Sequence, residues 1–267
     1  MDDRPIGVFD SGFGGLTVAR ALMDLVPAED LAYVGDTGRY PYGPRPLEEV
    51  RAFAGQIARV LVDGIGVKMV VVACNTASAA ALELLRFELD VPVVGVIAPG
   101  LRATVKATRN GRVGVIGTAG TIRSGAYQRE VRALRAPVEL HCAECPGLVE
   151  LVEQGRTGGP EVEEAAGRLL APMRAAAVDT LLLGCTHYPF LARAIADVMG
   201  RDVVLVSSAE ETAFEVRAIL DETGLSRRSQ AKGDHRFWSS GDPAVFVRLG
   251  RRLLGPELSR VEALVWA

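Results

Sequence analysis

The segment 70–76, VVVACNT, is an apolar run that ends in a cysteine and two polar residues, and the segment 181–187, LLLGCTH, repeats this pattern. Short apolar runs of branched side chains predict strands that are buried on both faces, as in a parallel sheet. Such runs lie at residues 6–9, 31–34, 69–73, 93–97, 113–116, 180–183 and 203–206. Helical spacing of apolar residues predicts helices at 47–62, 77–89, 125–134, 162–177 and 190–199. The alternation predicts an α/β fold with mainly parallel sheets.

The chain also carries a weak internal repeat. Besides the two cysteine segments, residues 6–12 (IGVFDSG) resemble residues 113–119 (VGVIGTA). We therefore expect two pseudo-symmetric α/β domains that bring both cysteines to one cleft. Because ligands of parallel sheets bind outside the carboxyl ends of the strands, the cleft is the predicted active site. The predicted domains comprise residues 1–97 with 208–267, and residues 98–207.

Composition and charge narrow the possible function classes. The 267 residues are 49% apolar and 24% charged, as in ordinary globular enzymes, and 30 basic against 33 acidic residues give a net charge of −3. A chain with this balance has no excess positive charge with which to bind nucleic acid or an anionic membrane surface. The longest apolar run, 69–74, is far shorter than the roughly 20 residues of a membrane span, and the N-terminus is acidic, unlike a signal peptide. We expect a cytoplasmic protein with no membrane partner and no nucleic acid as its main partner.

Two of the four cysteines, Cys74 and Cys185, follow predicted strands and precede polar residues that can begin a helix. The N-terminus of a helix favours a thiolate. A lone cysteine is more often a small buried apolar residue, but two in matching contexts favour reactive thiols. A cysteine hydrolase would use one thiol with a histidine such as His187 and leave the second thiol idle. Two thiols on opposite sides of a substrate instead suit inversion of a stereocentre, since one removes a proton and the other delivers one.

Polar side chains at the strand ends fit a small anionic substrate that carries an amino group. Donors for its carboxylates are available from Ser11, Asn75, Thr76, Thr118, Thr121 and Thr186. No glycine-rich segment has dinucleotide-binding spacing, and no P-loop lysine is present. Cys142 and Cys145 have no second ligand pair at zinc-finger spacing, and only three lysines could attach pyridoxal phosphate. We therefore predict neither a cofactor nor a metal.

Four separated motifs resemble those of the bacterial glutamate racemases, in the same order. They are GVFDSGFGGL at 7–16, GDT at 35–37 with PYG at 41–43, ACNTA at 73–77 and LGCTHYP at 183–189. The resemblance extends from about residue 6 to SGDP at 240–243, nearly the whole chain. It implies a cofactor-independent isomerase that interconverts L-glutamate and D-glutamate and supplies D-glutamate for peptidoglycan. It also implies two pseudo-symmetric domains and, by default, a homodimer.

The resemblance assigns roles to individual residues by their position in these motifs. Cys74 and Cys185 match the two acid/base residues. Residues that match groups assisting the thiols are Asp10, Glu153 and His187. Residues that match the substrate site are Asp10, Ser11, Tyr42, Gly43, Asn75, Thr76, Thr186 and His187. The chain departs from the family at Glu150, where relatives often have proline, and at 45–46 (RP), where lysine and serine are usual.

Two alternatives remain open from the sequence. The aspartate racemases share the paired cysteines, but a glutamate commonly follows their second Cys-Thr pair. This chain has His187 at that place, which favours glutamate as the substrate. A non-catalytic amino-acid-binding protein of the same fold is the other alternative, and it would have no need of both Cys74 and Cys185.

Overall fold

A computed structural model describes residues 2–229 and 231–266. Within these ranges the strands are β1 (Ile6–Asp10), β2 (Leu31–Gly35), β3 (Met69–Val72), β4 (Val93–Gly95), β5 (Arg112–Gly117), β6 (Glu139–Glu144), β7 (Thr180–Gly184), β8 (Val204–Ser207), β9 (His235–Ser239) and β10 (Glu262–Ala263). The α-helices are α1 (Leu16–Leu25), α2 (Leu47–Arg59), α3 (Asn75–Glu88), α4 (Ile97–Ala107), α5 (Ala119–Arg123), α6 (Ala126–Leu134), α7 (Leu148–Glu153), α8 (Pro160–Leu169), α9 (Ala171–Ala175), α10 (Ala192–Met199), α11 (Ser208–Thr223) and α12 (Pro243–Leu254).

Three shorter turns complete the secondary structure of the described residues. A π-helical turn (Val60–Ile65) extends α2, and 3-10 turns lie at Tyr188–Leu191 and Gly255–Glu257. Within residues 2–229 and 231–266, no helix is long and apolar enough to span a bilayer.

The strands form two parallel sheets, which confirms the predicted fold class. One sheet has the order β10-β9-β2-β1-β3-β4, and the other has the order β6-β5-β7-β8. The orders β2-β1-β3-β4 and β6-β5-β7-β8 are equivalent when each half of the chain is numbered from its own first strand. The weak repeat in the sequence thus corresponds to a repeated topology.

Helices cover both faces of the first sheet because side chains alternate along each strand. In β1, Ile6 and Val8 pack in the core with α1, α11 and α12, whereas Phe9 packs in the core with α2 and α3. The second sheet alternates in the same way, with Leu182 of β7 on one face and Leu183 on the other. Helix α11 packs against α1, so the chain returns to the first sheet after β8.

Several predicted elements are shorter than expected or divided. The helix predicted at 162–177 is two helices, α8 and α9, because Pro172 has no backbone N–H to continue the first one. The strand predicted at 93–97 ends at Gly95, since α4 begins at Ile97. Strands β6, β9 and β10 were not predicted. All three lie toward the edges of their sheets and contain charged or polar residues.

Candidate active site

A cavity of about 120 Å³ lies where the carboxyl ends of the two sheets meet. Ser11, after β1, and Cys74, after β3, line it from the first sheet. Thr118, after β5, and Cys185, after β7, line it from the second. The two cysteines that follow equivalent strands therefore share one cavity.

Cys74 lies at the N-terminus of α3. Its Sγ accepts a hydrogen bond from the backbone N–H of Ala77 (3.4 Å), and its thiol donates to Oγ of Ser11 (3.6 Å). Burial and the neighbouring Asp10 raise the pKa of Cys74 to about 12, and the Ala77 N–H only partly opposes them. Cys74 is therefore a neutral thiol at neutral pH, which can donate a proton.

Cys185 has different neighbours. Its Sγ lies 3.9 Å from Nδ1 of His187, and Nε2 of the same ring lies 3.2 Å from Oε1 of Glu153. Burial disfavours a charged imidazole, but the contacts with Cys185 and Glu153 outweigh it and raise the pKa of His187 to about 10. His187 is thus an imidazolium at neutral pH, and its charge attracts negative charge on the Cys185 sulfur.

The helix N-terminus expected beside both cysteines is present only at Cys74. The residues after Cys185 form a four-residue 3-10 turn, Tyr188–Leu191, and α10 begins only at Ala192. Pro189 lies in this turn and cannot donate a backbone hydrogen bond. The prediction of matching helix N-termini was therefore wrong. Next to Cys185, the group that can stabilise negative charge is His187 and not a helix N-terminus.

Asp10 lies behind the cavity and does not line it. Its side chain is fully buried, its Oδ2 accepts a hydrogen bond from the N–H of Gly12 (2.9 Å), and its Oδ1 has no hydrogen-bond partner. Burial raises the pKa of this carboxyl, although the charge of His187 opposes the rise. Asp10 acts on Cys74 through its charge, because a carboxylate nearby disfavours a second negative charge on the sulfur.

A triangle of hydroxyl groups joins the loops of the two sheets beside the cavity. Each Oγ1 of Thr76, Thr118 and Thr121 lies 3.0 Å from the other two. Close by, the N–H of Gly120 donates to the carbonyl oxygen of Gly43 (2.8 Å). Thr121 is fully buried and holds Thr118 from behind, so it does not line the cavity.

Tyr42 lines the cavity, but its hydroxyl is already bound. It donates to Oδ2 of Asp36, a fully buried carboxylate that also accepts from Nε of Arg39 (2.7 Å) and Oγ of Ser240 (2.5 Å). Tyr42 therefore faces a ligand with its ring, and Tyr40, Pro41, Gly43 and Pro44 of the same loop also line the cavity.

Of the thirteen residues that the sequence proposed for the site, ten line the cavity. These ten are Ser11, Tyr42, Gly43, Cys74, Asn75, Thr76, Thr118, Cys185, Thr186 and His187. The other three, Asp10, Thr121 and Glu153, lie directly behind lining residues. Glu153 lines a neighbouring cavity on the far side of His187.

Sequence reasoning missed one wall of the cavity. Cys145, Pro146, Gly147, Val149 and Glu150, which follow β6, line this wall. Their position was not apparent because β6 itself was not recognised. Its alternation of Leu140 and Cys142 with polar residues was the signal that could have identified the strand.

Cys142 and Cys145 have different surroundings. Cys142 is half-buried in β6, where Nε2 of Gln128 donates to its Sγ (3.5 Å), whereas Cys145 is buried against the cavity. In the part of the chain that the structure describes, no group of three or more His, Cys, Asp or Glu side chains is placed to hold a metal ion.

Comparison with known proteins places this architecture in a family. The family described as Asp/Glu/hydantoin racemase matches residues 6–215. The glutamate racemase of Beutenbergia cavernae is 54% identical over 99% of this chain and 94% of its own. A glutamate racemase isoform of Bacillus anthracis superposes with a TM-score of 0.94 at 40% identity, covering 100% of this chain and 98% of the other. The Francisella tularensis glutamate racemase, solved with D-glutamate, gives 0.92 at 34% identity, covering 99% and 98%. This chain therefore belongs to the Asp/Glu/hydantoin racemase family.

Proposed function

We propose that this protein is a glutamate racemase that moves the Cα proton of glutamate between two thiols. The observation that carries the proposal is the pairing of Cys74 and Cys185 in one cavity with unequal proton-transfer partners. Relatives of high identity over nearly the full chain, all of them glutamate racemases, support glutamate as the substrate.

The proposed reaction begins with the thiolate of Cys185 beside the imidazolium of His187. The thiolate takes the Cα proton from one face, which leaves a carbanion on the substrate and a neutral thiol on Cys185. Cys74 then donates its proton to the opposite face, which yields the other enantiomer and a thiolate on Cys74. The two thiols exchange roles in the reverse reaction. Before another turnover in the same direction, Cys185 must release its proton to solvent and Cys74 must take one up.

The remaining site residues support this proton transfer in our proposal. Glu153 holds the ring of His187, and Asp10 keeps Cys74 protonated until a substrate arrives. The groups proposed to bind the substrate are Ser11, Tyr42, Gly43, Asn75, Thr76, Thr118, Thr186 and His187, with Thr121 fixing Thr118 and Asp10 fixing the loop that carries Ser11. Hydroxyl and backbone donors suit the two carboxylates of glutamate.

We also propose a division into domains, an oligomeric state and a cellular location. We assign residues 1–97 with 208–267 to one domain and residues 98–207 to the other, because each range contains one sheet and one of the two cysteines. We propose a homodimer that supplies D-glutamate for peptidoglycan in the cytoplasm. Light scattering of the purified protein tests the dimer, and a monomer mass at micromolar concentration would contradict it.

Circular dichroism of the purified protein with amino acids tests the activity. The assay follows L-glutamate, D-glutamate and L-aspartate in turn, with a reductant and without pyridoxal phosphate or added metal. We expect the optical signal of both glutamate enantiomers to decay to zero and that of aspartate to persist. Decay with aspartate alone would make the protein an aspartate racemase, and a flat signal with measurable glutamate binding would make it a binding protein.

A further inference from the structure

The amide of Asn75 is bound at one end only. Asn75 is 3% exposed and lines the cavity directly after Cys74. Its Nδ2 donates a hydrogen bond to the hydroxyl of Tyr127 (3.0 Å), while its Oδ1 is buried without a hydrogen-bond partner. Buried polar atoms are rarely left unpaired, because each one costs free energy. An unpaired acceptor on a cavity wall points to a ligand that brings the missing donor.

Tyr127 reaches this amide from the other half of the molecule. It lies in α6, is 1% exposed, and packs with Leu182 of β7 in the core of the second sheet. Its hydroxyl also lies against Gly184, where an added Cβ would be only 2.7 Å from the oxygen. The hydroxyl of Tyr127 therefore sits between the residue after Cys74 and the residue before Cys185.

We propose that Tyr127 is a positioning residue that fixes the amide of Asn75 across the cleft, so that the Asn75 carbonyl oxygen accepts from the substrate ammonium group. This inference rests on the proposed function, which supplies an amino acid as the ligand. With Nδ2 held by Tyr127, Oδ1 is the end of the amide that remains for the ligand. An acceptor pairs with the ammonium group of an amino acid and not with its carboxylates.

The Tyr127→Phe variant tests the positioning role. The ring is kept and only the hydroxyl that holds Asn75 is lost, so we expect KM for both glutamate enantiomers to rise by about 5- to 30-fold. The ammonium contact is present in the bound substrate and in the transition state alike, so kcat should change less than about 3-fold. An unchanged KM, or a loss confined to kcat, would overturn the proposal.

A double-mutant cycle separates action through Asn75 from a general packing effect. If Tyr127 acts through the amide, Tyr127→Phe has no further effect on KM in an Asn75→Ala background. The matched control is Tyr188→Phe, which removes a buried hydroxyl bound to the carbonyl oxygen of Cys145 (3.1 Å). Its effect should add to that of Asn75→Ala. Additivity of Tyr127→Phe with Asn75→Ala would contradict the proposal.

Glutarate, which has both carboxylates of glutamate but no amino group, tests the assigned donor. The inhibition constant of glutarate should be the same within about 2-fold in the wild-type protein and in Tyr127→Phe, while KM for glutamate rises. Equal weakening of both ligands would overturn the assignment to the ammonium group. The wild-type assay separates this outcome from failure of the proposed function, because a protein that is not a racemase turns over neither enantiomer before any substitution is made.

Discussion

The proton on Cys74 and the positive charge on His187 define the starting state of the proposed reaction. Burial and Asp10 keep Cys74 neutral, with a pKa of about 12, whereas the pKa of about 10 keeps His187 charged beside Cys185. Cys74 is thus ready to donate a proton, and the sulfur of Cys185 lies 3.9 Å from the imidazolium ring. This asymmetry gives each thiol a distinct task at the start of a turnover.

Replacement of either active-site thiol should stop racemisation. Serine is a far weaker acid than cysteine and has almost no alkoxide form at neutral pH, so Cys74→Ser and Cys185→Ser should each lower kcat by about 10³-fold or more with the fold intact. Cys142→Ser is the matched control, because this half-buried thiol lies outside the cavity and should retain activity. Activity within 10-fold of wild type in either active-site variant would contradict the two-thiol scheme.

Loss of the carboxylate partner of His187 should shift the pH profile. The contact with Glu153 raises the pKa of His187, so Glu153→Gln should lower that pKa from about 10. Because the imidazolium is present only below this pKa, the alkaline fall in kcat/KM should move to lower pH for the enantiomer that Cys185 deprotonates. Rates measured from pH 6 to 11 check this shift.

A substitution of the exposed Glu161 is the control for the pH profile of Glu153→Gln. Glu161→Gln removes an exposed carboxylate whose partner is Arg156, so it should leave the alkaline limb in place. An identical profile for Glu153→Gln and the wild-type protein would show that Glu153 does not tune His187.

At the level of single residues, the sequence was informative wherever a residue ended a recognisable strand. Cys74 and Cys185 met this condition twice, in a repeated pattern, and both line the cavity. Tyr127 lies within a helix and reaches the site only through the contact between the two halves. No local sequence pattern predicts a contact between distant parts of the chain, so the place of Tyr127 at the site is apparent only from the structure.

The loop between β2 and α2 is held in place by the last part of the described chain. Arg39 is stacked between the rings of Phe53 and Trp266, with its Cζ at 4.1 Å and 3.9 Å from the ring centroids. The same guanidinium pairs with the buried Asp36, which binds Tyr42. The C-terminal residues thereby position a wall of the cavity.

Arg39→Met should weaken substrate binding through this loop. The substitution leaves the buried Asp36 without its cationic partner, so we expect KM for glutamate to rise by about 10-fold while kcat changes less. Arg59→Met is the control, since the side chain of Arg59 is 68% exposed at the end of α2. If KM is the same in both variants, Arg39 does not position the loop.

At the level of elements, the central strands and their order of alternation with helices were predictable, because buried parallel strands are continuous apolar runs. The edge strand β6 was not, since its residues are half-buried and include charged side chains. Two features depend on prolines, namely the division of α8 from α9 and the 3-10 turn after His187. The spacing of apolar residues alone does not predict them.

The N-terminal segment meets the residues after α11 at the amino-terminal edge of the first sheet, opposite the cavity. Nζ of Lys68 is fully buried, lies 2.5 Å from Oε2 of Glu29, and donates to the carbonyl oxygens of Asp2 (2.7 Å) and Leu225 (2.8 Å). Lys68, directly before β3, thus joins the N-terminal segment to Leu225, the second residue after α11. This contact ties the segment after α11 to the first sheet.

Removal of this buried ammonium group should destabilise the protein without touching the chemistry. Lys68→Met leaves the buried Glu29 with a hydrogen bond from the backbone N–H of Arg227 (2.7 Å) but without a cationic partner, so the free energy of unfolding should fall by about 3–5 kcal/mol. Lys106→Met is the control, because Lys106 is exposed on α4. Denaturant titration measures both, and racemase activity at low temperature should survive in both. A loss below about 1 kcal/mol for Lys68→Met would contradict the role assigned to this pair.

The proposed racemisation requires two proton-transfer groups on opposite faces of one substrate, and isotope incorporation tests this requirement most directly. L-glutamate is incubated with the protein in D₂O, and the two enantiomers are separated at low conversion and analysed by mass spectrometry. We expect the D-glutamate formed to carry one deuterium at Cα, while the remaining L-glutamate keeps its protium, and the mirror result from D-glutamate. Protium retained in the product would mean that one group removes and returns the same proton, which would contradict the two-thiol mechanism.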